Sequence, residues 1–139
     1  MNIEGLRGPG EKVGGLVYFG RMVDKIRLHQ AGKLPADYHE NLGTAFDGRC
    51  VKYLGVTYPA LVDRVKQGGS DEQILDWCFT QGRKPDEDET LIWNNFLSKR
   101  GWRDEASDIL QQRKQKYNVM ARDDIQTFFD IIDFDEGRK

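Results

Sequence analysis

The sequence predicts an all-α protein: an irregular bundle of about seven short-to-medium helices with no significant sheet. Three observations carry this. Apolar residues recur at helical spacing in segment after segment. Capping residues and glycines punctuate those segments. Period-two alternation, the mark of half-buried strands, is absent. A chain of 139 residues fits one domain with its own core. We expect a single helical domain over residues 1–139, with a glycine-rich lead at 1–16 and a fraying tail at 133–139.

The first helix follows the lead. Phe19, Met22, Val23 and Ile26 fall at i, i+3, i+4 and i+7 and make one apolar face, closed by Gly32 and Pro35. Residues 35–46 read as a loop. Asp47 can cap a short helix bearing Cys50, Val51, Tyr53 and Leu54. Gly55 then stops it in the left-handed conformation, with Val56 folding back onto Val51. Thr57 caps a third helix, with Pro59 in its first turn and Leu61, Val62 and Val65 inward.

Ser70 and Gln73 make a capping box for a fourth helix, whose inner face is Ile74, Leu75 and Cys78. Gly82 ends it. Pro85 starts the fifth, whose inner face is Leu91 or Ile92 with Phe96 and Leu97 and which ends at Gly101, with Trp102 placed to cover Leu97. Asp104 caps the sixth, with Ala106, Ile109, Leu110 and Tyr117 on one side. Asp123 with Gln126 caps the last, which buries Ile125, Phe128, Phe129 and Ile132.

The charges mostly follow the helices. Asp71–Glu72, Asp86–Glu89, Asp104–Glu105 and Asp123–Asp124 each fall in a first turn, and basic residues gather near helix ends. Both trends complement the helix dipole, so these acidic clusters need no metal or catalytic role. The net charge is −2. Residues 1–70 hold 10 Lys or Arg against 7 Asp or Glu, an excess too small for a typical nucleic-acid-binding domain. Nucleic acid is therefore disfavoured as a partner. No apolar run approaches the roughly 20 residues that span a bilayer, and the start lacks a secretory signal core. Two cysteines are too few for a disulfide framework, so a cytoplasmic location is expected, without membrane association.

Few residues can carry chemistry. Gly10 and Gly15 have the spacing of a phosphate-binding loop, but Leu16 and Val17 follow where Lys and Ser/Thr are needed, and no strand precedes. A dinucleotide fingerprint fails for lack of a βαβ context. His29, His39, Cys50 and Cys78 lack metal-ligand spacing, so no metal and no cofactor are expected. Cys50 and Cys78 sit among apolar residues and read as buried, inert thiols.

What remains is the polar side of the first helix, with Arg21, Asp24, Lys25 and His29. A solvated outer face is its simplest reading. The sharper one makes it a cleft wall that grips an anion through Arg21 and Lys25. His29 and Asp24 would then be candidate catalytic groups, His29 because imidazole titrates near neutrality. A second candidate is DYHENLGTAFDGRC, where Asp47 and Arg49 approach a helix N-terminus. The candidate ligand-binding set is Arg21, Lys25, His29, Asp47 and Arg49.

The segments GEKVGGLVYFGRMVDKIRLHQAGKLPADYH, FDGRCVKYLGV, GGSDEQILDWCF, WNNFLSKRGWRDEAS and DDIQTFFDIIDFDEGR together resemble bacterial proteins grouped as domain of unknown function 5069. The resemblance covers nearly the whole chain, in order. It implies a small single-domain protein and assigns no activity and no site residues. One departure is Gly20, where the resemblance leads us to expect proline; glycine there implies a looser approach to the first helix. The sequence thus fits best a small cytoplasmic helical binding or interaction module with an unknown protein partner. The alternative is a small enzyme or sensor recognising an anionic, phosphate- or carboxylate-bearing metabolite.

Overall fold

The computed structural model describes residues 1–139. A two-residue hairpin, β1 (Lys12–Val13) and β2 (Leu16–Val17), leads into α1 (Phe19–Gln30). A 3-10 helix (Ala36–Asn41) follows, then α2 (Ala45–Leu54), α3 (Tyr58–Lys66) and α4 (Asp71–Gln81). The chain ends with α5 (Glu87–Ser98), α6 (Ser107–Lys116) and α7 (Phe128–Asp135). The fold is predominantly helical, as the periodicity predicts. No helix is long and apolar enough to cross a membrane.

Local chemistry sets most boundaries. Ser70 and Gln73 form the expected capping box on α4. Gly55 takes φ 75° and lets the Val56 amide donate to the Val51 carbonyl, which closes α2 as expected. Other helices start at different residues from those the sequence suggests. Thr44, not Asp47, stands at the N-cap of α2. Asp86 and Glu89 box the start of α5, and Thr127 with Asp130 boxes α7 in place of Asp123 with Gln126. Asp104 accepts from the Gly101 and Ala106 amides and so shapes the turn before α6. Trp102 does not cover Leu97. It stays largely exposed, with Arg103 over its ring.

Two cores form where one was expected. The larger joins the hairpin, α1 to α5 and Phe129. The smaller gathers Ala106, Leu110, Val119, Ile125, Phe128 and Ile131 around α6 and α7. Phe46, at the start of α2, packs against both. Cys50 and Cys78 are free thiols inside the larger core.

The lead and the tail are both fixed. Trp93 donates from Nε1 to the Val17 carbonyl at 3.1 Å, and Asn94 pairs with the Val17 amide and the Gly15 carbonyl. These bonds tie the hairpin to α5. The approach to α1 is tight rather than loose, because a Cβ on Gly20 would lie 2.9 Å from Arg7 Cζ. At the other end Glu136 is buried, and Arg138 donates to the Leu6 carbonyl at 2.7 Å.

A close backbone approach joins the ends of α2 and α4. The Arg83 amide donates to the Leu54 carbonyl at 2.9 Å. A Cβ on Gly82 would overlap that carbonyl and lie 2.8 Å from the Gly55 carbonyl carbon. Backbone cannot swing aside as a side chain can. Gly82→Ala is therefore expected to destabilise by about 3 kcal/mol, the upper end of overpacking effects. Gly10→Ala, where the new carbon meets only Phe129 at 3.9 Å, is the control and should stay within about 0.5 kcal/mol of the parent. Urea midpoints at constant m-value test both.

Candidate functional site

Helix α1 is buried on both sides. Its apolar face enters the larger core, but Arg21, Asp24 and Lys25 are only 4%, 6% and 5% exposed. The solvated outer face expected from the sequence does not exist. Each charge is instead met by a partner. Asp24 accepts from Arg7 Nε at 2.8 Å and Nη2 at 2.9 Å. Arg7 also reaches Asp71, which Arg27 holds from its other side at 2.7 Å. Arg21 makes a two-pronged pair with Glu136, both contacts 2.7 Å. Lys25 Nζ lies 2.7 Å from Asp47 Oδ1.

Tyr18, Arg21 and Lys25 recur at i, i+3 and i+7 and so share one side of α1. Tyr18 holds φ 75°, a conformation costly for a bulky side chain. Its hydroxyl donates to Asp47 Oδ1 at 2.7 Å and accepts from Lys25 Nζ at 3.0 Å. Asp47 Oδ2 accepts from the Gly43 amide at 3.1 Å. Burial, with the Asp47 charge next in weight, holds the Tyr18 phenol protonated well above its ordinary range. Burial also lowers the Lys25 ammonium from its ordinary value, and the Asp47 charge only partly opposes it.

These three side chains form part of the wall of a cleft of about 490 Å³, within the usual range for small-molecule sites. The cleft lies where the two cores meet. Tyr38 and Asn41 of the 3-10 helix, the first turn of α2 with Phe46, and Arg49 line one side. Arg100, Ile109, Arg113, Lys116 and Tyr117 line another, with Phe128, Ile132 and Glu136 from α7. Ala45, at φ 51°, is a second strained residue on this wall. The N-terminus of α2 opens here without a side-chain cap and presents the positive end of its dipole.

Arg49, Arg113 and Lys116 are exposed cleft residues that form no ion pair. Arg49 rests over Phe96 and Arg113 over Phe128, at 5.3 and 5.5 Å from the ring centres. Arg21 Nε is the one buried side-chain polar atom without a hydrogen-bond partner.

The structure gathers Arg21, Lys25 and Arg49 on this cleft and sets Asp47, fully buried, beneath it. It does not bring in His29 or Asp24. Asp24 points around α1 toward Arg7. His29 shares the cleft side of the helix but lies four residues past Lys25, about 6 Å further along the axis. There it is exposed and packs edge-on against His39, 4.6 Å between ring centres. No sequence pattern marks Tyr18, Glu136, Arg100, Arg113 or Lys116 as a ligand-binding or catalytic residue. No group of three or more His, Cys, Asp or Glu side chains is placed to hold a metal.

The family described as "Domain of unknown function (DUF5069)" matches residues 3–138. The chain belongs to this family. No curated protein matches it. The family's description names no activity, so the geometry must carry any functional reading of this member.

The Arg21–Glu136 pair yields a test of the cleft floor. Burial alone would raise the Glu136 carboxyl, but hydrogen bonds and charge from Arg21, with Tyr38 and Arg138, outweigh it and hold it below its ordinary value. Its contribution to stability is then complete above the unfolded value of about 4.3 and is lost as pH falls through the lower folded value. Glu136→Gln leaves Arg21 buried and uncompensated, and should cost about 3–5 kcal/mol near neutrality. The gap between parent and variant should narrow as pH drops below about 4. Denaturant titrations across that range measure it.

Proposed function

We propose that the cleft binds a small anionic metabolite through a phosphate or carboxylate group. The observation that carries this reading is the set of unpaired cations. Arg49, Arg113 and Lys116 come from two different helices, form no ion pair, and converge on one concave site. Asp37 and Asp135 also stand on the lining, but the three unpaired cations outnumber these carboxylates and repel one another, so an anion between them relieves an unfavourable field. The open N-terminus of α2 adds backbone donors of the same sign. Phe46, Ile109 and Phe128 supply apolar wall for the remainder of the ligand. Arginine suits this role, because its planar fork meets carboxylate and phosphate oxygens two at a time.

The rival reading, a module that only docks a protein partner, needs a joined apolar patch. Leu91 and Ile92 are well exposed on α5. Phe96 on the same helix is flanked by Arg49 and Arg100, and Trp102 by Arg103. Guanidinium groups thus break up the aromatic surface, and we give the cleft precedence. A cytoplasmic location fits this reading, since both cysteines are free.

Thermal-shift screening against phosphate- and carboxylate-bearing metabolites tests it. A ligand at a hundred times its Kd adds about 2.7 kcal/mol. Arg49→Ala and Arg113→Ala should remove most of that gain. Both side chains are exposed and unpaired, so the unliganded variants should stay within about 0.5 kcal/mol of the parent. Stabilisation by no anionic compound, or equal stabilisation of the variants, overturns the reading.

A further inference from the structure

We propose that Lys25 is an amine nucleophile in this cleft, condensing with the carbonyl carbon of an anionic aldehyde or ketone held by Arg49 and Arg113. This rests on the anion-binding reading and names its substrate class: small oxo acids and their phosphorylated counterparts.

The argument starts from how Asp47 is satisfied. A buried lysine paired with a buried aspartate is ordinarily bound to stay charged, because the carboxylate has no other donor. Here the carboxylate has two. The Tyr18 hydroxyl donates to Oδ1 and the Gly43 amide to Oδ2, at 2.7 and 3.1 Å. Lys25 can release a proton without stripping Asp47 of its hydrogen bonds. Burial favours that release, since it lowers the ammonium's affinity for its proton. Lys25 is part of the wall of the cleft that holds the unpaired cations.

The molecule's other buried lysine shows the contrast. Lys114 donates to the carbonyls of Arg122 and Ile125, at 3.0 and 2.9 Å. Carbonyl oxygens only accept, and the ammonium donates to both of these. Lys114 therefore serves as a staple for the segment between α6 and α7. Lys25 has no such backbone duty.

The reaction balances without a further reagent. The neutral amine adds to the carbonyl carbon, and the carbonyl π pair moves onto oxygen. A proton passes from the new ammonium to that oxygen, giving a carbinolamine. A second protonation lets the oxygen leave as water while the nitrogen lone pair forms the C=N bond. From ammonium and carbonyl the products are a protonated imine and one water. The positive charge stays beside Asp47, so the ion pair survives the reaction. Tyr18 Oη, 3.0 Å from Nζ and hydrogen-bonded to Asp47, is the group within reach to relay protons.

Glyoxylate, a carboxylate bearing an aldehyde, is the probe. The intact protein is incubated with glyoxylate and cyanoborohydride, which reduces an imine to a stable carboxymethyl-lysine, and the sites are mapped by mass spectrometry. Lys25 should be modified about tenfold faster than exposed Lys33 in the same chain. Excess inorganic phosphate should slow Lys25 and leave Lys33 unchanged. Lys25→Arg should show no adduct at that position and the same surface background. Phosphate binding is measured in parallel by thermal shift on the parent and on Arg49→Ala. If phosphate stabilises only the parent while Lys25 reacts no faster than Lys33, the nucleophile falls and the anion site stands. If phosphate stabilises neither and Lys25 is again no faster, both fall. Rapid modification that phosphate does not slow overturns the assignment of Arg49 and Arg113 as the carboxylate grip.

Discussion

Helix α1 carries Arg21, Asp24 and Lys25 into the interior, and an ionised group loses its water there at a cost of several kcal/mol. Such a helix is stable only when each charge meets an opposite one. The partners come from the far parts of the chain: Arg7 from the lead, Asp47 from α2, Glu136 from the tail. That requirement explains why neither terminus hangs free. The lead must return to cover Asp24, and the tail must return to cover Arg21. Arg138 then bonds both Glu136 and the Leu6 carbonyl, which joins the two ends directly. Pairing of this kind gives little net stability over an apolar core. Its effect is to specify one arrangement, since any other leaves a buried charge alone.

The cleft follows from the same constraint. Charged pairs occupy the side of α1 where a second apolar layer would otherwise pack. The smaller core around α6 and α7 meets the larger one at Phe46, whose ring lies edge-on to Phe128 and Phe129 at 6.3 and 5.7 Å between centres. The gap left beside them is walled by apolar rings and by the hydrogen-bonded ends of the ion pairs. It is wide enough for a small molecule because polar side chains, not close-packed aliphatics, form much of its lining. Arg49, Arg113 and Lys116 stand on it outside any ion pair, with Asp37 and Asp135 on the same lining.

Helices were legible wherever a local rule sufficed. Ser70 with Gln73 and Gly55 with Val56 act within one turn, so their neighbours alone define them. The start of α6 was missed because Asp104 satisfies amides of a preceding turn, a geometry the same residue types also produce at a cap. Burial of the α1 charges had no local signature. Arg21 and Glu136 are 115 residues apart, and a carboxylate in an acidic tail looks like any other until the chain returns. Arg21 and Lys25 stand out in the sequence as charges on the polar side of the first helix, and Asp47 and Arg49 as charges near a helix N-terminus. His29 was grouped with them because angular position on a helix is legible, whereas axial position relative to a distant cleft is not. Tyr18 is buried, and that its hydroxyl ends between Lys25 and Asp47 depends on how α2 docks.

Backbone strain bears on the same site. Four non-glycine residues hold positive φ: Tyr18, Ala45, Arg103 and Asn118. Two of them, Tyr18 and Ala45, stand on the cleft wall, at the starts of α1 and α2. Each costs about 1–3 kcal/mol unless its surroundings compensate. At Tyr18 the compensation is visible, because the unusual backbone delivers the hydroxyl to Asp47 and to Lys25. A relaxed backbone would swing the ring away and leave the lysine with the carboxylate alone. Strain at this point is thus the means by which Asp47 gains a donor other than the ammonium. It decides whether Lys25 is a locked structural ion or an amine that can give up its proton.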